Sequence, residues 1–418
     1  MTNAAAADRQ ALVLGAGMIG TCTALHLQQR GYDVVLVDRR EPGQETSLGN
    51  AGLIQREAVE PYPFPRQWGK LLQAALGLGV DVHYHLSALP SLVRPLWRYF
   101  VDSGPARYPR QVQAYARLIE HCLDEHRPLI EQAGAAEAVR PVGYLDVYRT
   151  GRVWEAAARD AERLALAFGL RCTVLDAAGL AQAEPALRHP LAGAVHWQDP
   201  WSVRDPAELV SAYARLFVQR GGRLVRGDAT ALTPHGRGWR LPLPDGAIEA
   251  PVAVVALGPW SDTLLQRLGY RLPLFVKRGY HQHYTGGGVL QRPALDAERG
   301  FVLVPMRRGL RLTTGAEFAH RDAPATPVQV RRAEAAAREL MDLGRALDEP
   351  PWLGARPCTP DMLPIMGAAP RHPGLWFNFG HSHQGFTLGP VAGRLLAEMI
   401  AGEPPFVDPA PYRPERWG

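Results

Sequence analysis

The sequence predicts an α/β fold in which a parallel-sheet nucleotide unit is interleaved with an α+β unit built on an antiparallel sheet. Three observations carry this. An apolar strand at 11–14 runs into Gly15-Ala-Gly17-Met-Ile-Gly20 and a helix, and a second strand at 33–37 closes with Asp38. The continuous apolar run at 251–257 reads as a strand buried on both faces, as in a parallel sheet. A last strand at 375–379 enters a second glycine-rich segment, Gly380 to Gly393, which opens a helix. The intervening stretches differ in character, so the nucleotide unit is discontinuous: 1–60, 205–262 and 356–418 form it, and 61–204 with 263–355 form the second unit.

The remaining elements follow in order. Gly31 is the expected C-terminal stop of the first helix. Residues 61–100 are rich in Pro, Trp and Tyr and carry a Gly-broken apolar patch at 71–80; they read as an excursion from the nucleotide unit. With Trp68, Trp97, Tyr99 and Phe100 this region is a lid over the ligand, the favoured reading, or a peripheral contact with a membrane surface. Helices are expected at 107–133, 152–169 and 206–220, strands at 142–148 and 223–225, alternating antiparallel strands over 273–320, and an Ala/Glu/Arg helix at 333–347.

Composition excludes several classes. At 418 residues the chain exceeds the size at which one core stops growing. Its four cysteines (Cys22, Cys122, Cys172, Cys358) form no CxxC, so neither a disulfide framework nor a zinc site is indicated. The first ten residues lack the basic and apolar regions of a signal peptide, and no run reaches the ~18 apolar residues of a membrane span; a cytoplasmic location is expected. The net charge of +5 is spread over scattered arginines, which argues against nucleic acid. No Ser/His/Asp or paired-carboxylate arrangement supports hydrolysis, and no metal-ligand set is present.

Each glycine of the fingerprint has a task. Gly15 makes the tight turn, Gly17 admits pyrophosphate close to backbone, and Gly20 allows helix and strand to pack. The helix N-terminus supplies N–H donors. Asp38, 18 residues beyond Gly20, can accept from ribose hydroxyls, which disfavours a 2′-phosphate. The fingerprint alone does not separate NAD from FAD. A second glycine-rich loop some 360 residues later suggests one dinucleotide held at both ends, with the pyrophosphate at the first loop and a redox ring at the second. After Asp38 and Arg39, the loop Glu45-Thr-Ser47-Leu-Gly-Asn50-Ala51-Gly52 is polar and small enough to approach a ligand.

That loop, the strand end Ala256-Leu-Gly258-Pro-Trp260-Ser, and Gly354-Ala-Arg356-Pro-Cys358-Thr-Pro-Asp361 together resemble the D-amino acid oxidase-like flavoprotein superfamily, and bacterial D-amino acid dehydrogenases including hydroxyproline-type members in particular. The resemblance spans nearly the whole chain. It implies a Rossmann-like FAD-binding domain and non-covalent FAD. Gly15, Gly17 and Gly20 would hold the pyrophosphate, and Asp38 and Arg39 would lie at the adenosine. Ser47, Asn50, Ala51 and Gly52 would line pyrophosphate and isoalloxazine, Ala229 would contact adenine, and Gly258 and Trp260 would lie near the pyrophosphate. Gly380, His381, Gln384, Gly385, Phe386 and Thr387 would pass the flavin ring, with the following helix aimed at its pyrimidine edge. Two departures stand out: Ser382, where many relatives have glycine, and Gln384.

The resemblance also implies an amino acid substrate held by Arg356 through its carboxylate, because a guanidinium binds carboxylate bidentately. Strand alternation over 277–284 puts Tyr280 and Tyr284 on one face and His281 and His283 on the other; Tyr280 is a candidate second donor to the carboxylate, and His383 a pocket residue. The expected reaction is hydride transfer from Cα–H of a D-amino acid, a cyclic imino acid included, to flavin N5, giving an imine or 2-keto acid, with a quinone or O₂ as final acceptor. Three alternatives stay open. They are a glycine/sarcosine-type secondary amine oxidase, a flavin-binding subunit that needs partner chains, and, least favoured for want of a basic cluster, an RNA-modification domain.

Overall fold

The strand Gln10–Leu14 is apolar after its first residue and buried on both sides, as a central parallel strand must be. It sits in a six-stranded sheet of order Arg223–Arg226, Asp33–Asp38, Gln10–Leu14, Val252–Val255, Leu375–Phe379, Ile365–Ala368. The first five run parallel and the last antiparallel. The chain continues from Gln10–Leu14 to one side and returns through Val252–Val255 on the other. The crevice this reversal opens at the carboxyl ends of the two strands is where such sheets bind ligands. Helices Met18–Gln29, Pro206–Gln219 and Gly389–Ala401 cover one face of the sheet over a shared apolar core. Met18–Gln29 and Gly389–Ala401 cross closely enough that a Cβ on Gly393 would fall 2.7 Å from the Cys22 carbonyl carbon. The computed structural model describes residues 9–66, 69, 82–188, 190–347 and 350–418. The apolar patch at 71–80 and Trp68 lie outside the described residues.

The second sheet has eleven strands. Its spine is Phe275–Gly286, which pairs antiparallel with Gly309–Thr313, Ala316–Phe318, Gly344–Ala346 and Trp352–Cys358. Two short pairings are parallel, Ala294–Asp296 with Tyr144–Tyr148 and Ala316–Phe318 with Val82–Tyr84, so the sheet is mixed. The expected boundary at 356 falls inside the strand Trp352–Cys358, which places Arg356 in this sheet.

Local differences from the sequence reading have physical reasons. The helix expected over 107–133 is two, Tyr108–Ile119 and Cys122–Gln132; Asp124 and Glu125 give the second its own acidic first turn. The helix expected at 333–347 runs Val328–Leu340. Gly344, at φ +72, lies against the Thr285 carbonyl and starts a strand instead. Ala229 lies in a 3₁₀ turn that follows the strand Arg223–Arg226. In the excursion, helix Leu89–Asp102 carries Pro95 inside it, and its Tyr99 hydroxyl donates to the Tyr62 carbonyl.

Candidate active site

A cleft of about 980 Å³ runs from the sheet's reversal point to the floor of the second sheet. Its nucleotide end is built by backbone. Gly15 adopts φ +106, and a Cβ there would meet the Ala256 carbonyl oxygen at 2.4 Å. A Cβ on Gly20 would lie 1.8 Å from the Gly15 oxygen, so Gly20 serves packing beneath the cleft and does not line it. Gly17 and Gly258 differ. The nearest atom to a Cβ on Gly17 is Ser47 Oγ at 3.5 Å, and Gly258 has nothing within 4 Å. Both line the cleft, so their small size leaves room for a ligand rather than for protein. The Met18 amide donates to Ser47 Oγ at 3.1 Å. Asp38 accepts from the Ala16 amide at 2.7 Å and the Arg40 amide at 3.0 Å, tying the turn while keeping lone pairs for further donors. Arg39 pairs with Glu45 at 2.7 Å and lies over the Trp260 ring at 4.5 Å. Ala229 lines the same end.

The middle of the cleft is framed by two loops. In the first, Arg311 donates to the carbonyls of Leu48 (2.9 Å) and Asn50 (2.6 Å). The Asn50 side chain accepts from the Gly52 amide at 2.7 Å. Gly52, at φ +67 under the Val203 carbonyl, shapes this loop and is not on the wall, whereas Ser47, Asn50 and Ala51 are. In the second loop, Gly380, His381, Gly385 and Phe386 line the cleft. His381 is buried with an unpartnered Nε2, and burial pulls its pKa down to about 3. The amides of Gly385, Phe386 and Thr387 make no hydrogen bond among the described residues, just before the helix Gly389–Ala401 with Pro390 in its first turn. These open donors fit an electron-rich ring edge. Gln384 and Thr387 face away from the cleft. Gln384 donates to Gln55 at 2.8 Å and accepts from Thr387 Oγ1 at 2.6 Å, while Thr387 Oγ1 accepts from the Gln55 amide at 3.1 Å. They brace the loop. Ser382 holds φ +52, a left-handed conformation in which glycine is unstrained.

At the far end, Arg356 stands opposite Lys277 across neighbouring antiparallel strands. Its guanidinium lies over Gly279, where a Cβ would be 2.4 Å from Nη1. It donates to the carbonyls of Gly315 (3.0 Å) and Thr314 (3.4 Å) and forms no ion pair among the described residues. Burial lowers its pKa from the ordinary arginine value. His383 meets Tyr62 edge-on at 5.3 Å, and burial, with Arg356 and Lys277 close by, holds its pKa well below the usual histidine range. Tyr280 lines the cleft, with its hydroxyl already engaged. Its hydroxyl donates to Glu317 at 3.1 Å and accepts from the Thr326 amide at 2.7 Å. Alternation places its side chain on the opposite face of the strand from Lys277. Cys358 lies outside the cleft lining, its thiol bonded to the Arg356 carbonyl and its pKa raised by burial. His83, His85 and Glu317 bring ligand atoms within 4.8 Å of one another, but Arg278 already neutralises Glu317 at 2.5 Å.

The cleft residues not anticipated as site residues include Lys277, Tyr62 and Tyr144. Tyr144 donates to Asp146, which also accepts from Trp197 Nε1 at 2.9 Å.

Comparison with known proteins agrees with this architecture. The profile of the DAO family, FAD dependent oxidoreductase, matches residues 10–399. A D-amino-acid oxidase of Bradyrhizobium diazoefficiens is 30% identical over 98% of this chain and 99% of its own length. A D-amino acid dehydrogenase of Paramagnetospirillum magneticum is 32% identical over 94% and 95%. Among solved structures, glycine oxidase from Geobacillus kaustophilus superposes with a TM-score of 0.69 at 21% identity, covering 97% of this chain and 98% of that one. L-proline dehydrogenase from P. horikoshii gives 0.73 at 17% identity, covering 98% and 97%.

Proposed function

Because the chain belongs to the DAO family of FAD dependent oxidoreductases, we propose that it oxidises D-amino acids, gripping the substrate carboxylate with Arg356. The enzyme is an FAD-dependent amino acid dehydrogenase or oxidase. We take the FAD to be non-covalent, with Gly15, Gly17, Asp38 and Ser47 at its nucleotide half and the 380–387 loop at its ring. The division at 1–60, 205–262 and 356–418 against 61–204 and 263–355 belongs to this proposal, with the strand Trp352–Cys358 bridging the two units.

The observation that carries the reading is Arg356, a recessed guanidinium facing the cleft with carbonyl partners and, among the described residues, no carboxylate. A carboxylate arriving there gains a charge-assisted pair in a partly desolvated site. Two nearby cations, Arg356 and Lys277, disfavour a further positive charge, so the substrate amine binds more readily as the free base. His383 stays neutral for the same reason and for its burial. It can therefore exchange a hydrogen bond with the amine without adding charge. Bound FAD supplies the two-electron acceptor for oxidation at the Cα–N bond. The protein supplies orientation: the carboxylate is fixed at one end, and the loop with His381 limits water at the other.

The deciding experiment is anaerobic mixing with D-, L- and N-alkyl amino acids. Bleaching of the flavin band by D-amino acids supports the reading. Bleaching by glycine or sarcosine alone transfers it to secondary amine oxidation, and no bleaching by any member sinks it. Peroxide release then separates O₂ from a quinone as acceptor. Among the described residues no helix is long and apolar enough to cross a membrane. Exposed Leu86, Val93 and Trp97 around the helix Leu89–Asp102 support a peripheral contact, which flotation with anionic vesicles tests.

A further inference from the structure

Lys277 is anomalous on several independent grounds. Only two of the chain's 46 basic residues are lysines, Lys70 and Lys277. Lys277 is 7% exposed, and what it shows to solvent it shows to the cleft. It is the direct cross-strand neighbour of Arg356, on the same face of the sheet. Like charges placed directly opposite one another repel, and burial strengthens the repulsion. Neither cation has an ion-pair partner among the described residues. Lys277 Nζ donates to the Tyr99 hydroxyl at 3.1 Å and lies 4.3 Å from that ring's centroid. These contacts soften the cost of burying one ammonium, but they do not offset a second charge beside it.

The acids described around the cleft do not answer the pair. Asp146 is engaged by Tyr144 and Trp197. Glu57 is held by Gln55, and burial raises its pKa to about 8, which leaves it mostly neutral near pH 7. The acids that line the cleft (Asp38, Glu45, Asp228, Asp322) lie with Arg39, Ala229, Trp260 and Arg321 at the nucleotide end. The substrate end therefore carries two adjacent positive charges and, among the described residues, no available negative one.

We infer that Lys277 and Arg356 form a two-point anion site, and that the preferred substrates are amino acids with a second acidic group. In this arrangement Arg356 takes the α-carboxylate through its fork. Lys277, a point charge on a flexible stem, takes the side-chain acid. The inference rests on the proposed amino acid oxidation and narrows its substrate class to dicarboxylic amino acids.

The test compares near-isosteric pairs, D-glutamate with D-glutamine and D-aspartate with D-asparagine, in the FAD-loaded protein. The expected result is a kcat/KM at least roughly tenfold higher for the acid of each pair, carried mainly by KM; a charge-assisted contact in such a site is worth at least this much. Lys277→Met should bring the ratio to unity or below, and Lys277→Arg should keep most of it. Should Lys277→Met not fold, binding in the unaltered protein serves: glutarate should perturb the flavin spectrum at concentrations well below those needed for butyrate. An acid-to-amide ratio near one, or equal binding of glutarate and butyrate, overturns the inference. If neutral D-amino acids bleach the flavin and acidic ones do not, this inference fails while amino acid oxidation stands. If nothing bleaches it, the underlying reading fails too.

Discussion

The two ends of the cleft are made of different material. At the nucleotide end the working groups are backbone: positive-φ glycines, helix-start amides and one carboxylate that ties down its own turn. At the proposed substrate end they are side chains delivered from segments far apart in sequence, Tyr62, Tyr144, Lys277, Arg356 and His383. Backbone recognition requires fixed spacing, because each glycine is needed where no Cβ fits. Side-chain recognition requires only that groups converge, and convergence leaves no local signature. The first end suits a cofactor common to many enzymes, and the second a substrate particular to one.

Substitutions can break this contrast, and the largest effect belongs to the backbone end. Gly20→Ala drives a methyl into the Gly15 carbonyl at 1.8 Å. The variant should be recovered without flavin, or insoluble; a yellow protein of normal absorbance ratio would contradict the packing argument. Next comes Arg356→Ala, which removes a charge-assisted contact worth about 2–5 kcal/mol, or roughly 30- to 5,000-fold in kcat/KM, while flavin content stays normal. Unchanged kinetics would exclude Arg356 as the carboxylate anchor.

Glu57 gives a pH test of the brace behind the flavin loop. Its pKa is raised from 4.5 to about 8 in the folded protein, chiefly by burial. The folded state thus binds more protons than the unfolded state between those values. The stabilisation is full below about pH 4.5 and is lost as pH rises toward 8. Glu57→Gln should flatten that slope, which urea midpoints measured from pH 5 to 8 will detect. His381, His26 and His126 act in the opposite sense: burial lowers them to about 3, 3 and 4, so their contribution is present above pH 6.5 and is lost in acid. The smallest effect is expected from Ser382→Gly. Relief of a left-handed φ should stabilise by about 0.5–1 kcal/mol net of glycine's entropy, read as a shift in Tm.

Legibility in the sequence followed the same division. The strand–glycine–helix start, Asp38 and the closing loop could be read because their chemistry is local and periodic. Gln384 and Thr387 were expected at the ring but brace the loop through Gln55, a contact 329 residues away in the chain that no spacing rule reveals. Alternation sorted Tyr280 from His281, but it could not show that Arg356 would stand directly opposite Lys277; that depends on the register of Trp352–Cys358. Lys277 did leave a signal, being a lysine in an arginine-rich chain, yet its significance needed the cross-strand register. The helix misplaced at 333–347 shows propensity yielding to a pairing with Thr285.

The close crossing of Met18–Gln29 with Gly389–Ala401 bears on how the protein is made. The strand Leu375–Phe379 that flanks the central strands and the helix that clamps the first one are translated more than 340 residues after the fingerprint. Until they arrive, Val252–Val255 presents an open hydrogen-bonding edge and Gly15–Gly20 lacks its covering helix. The central sheet and the helix pair over the fingerprint are therefore completed only after this long separation in translation. An edge left open over that interval is exposed to edge-to-edge association.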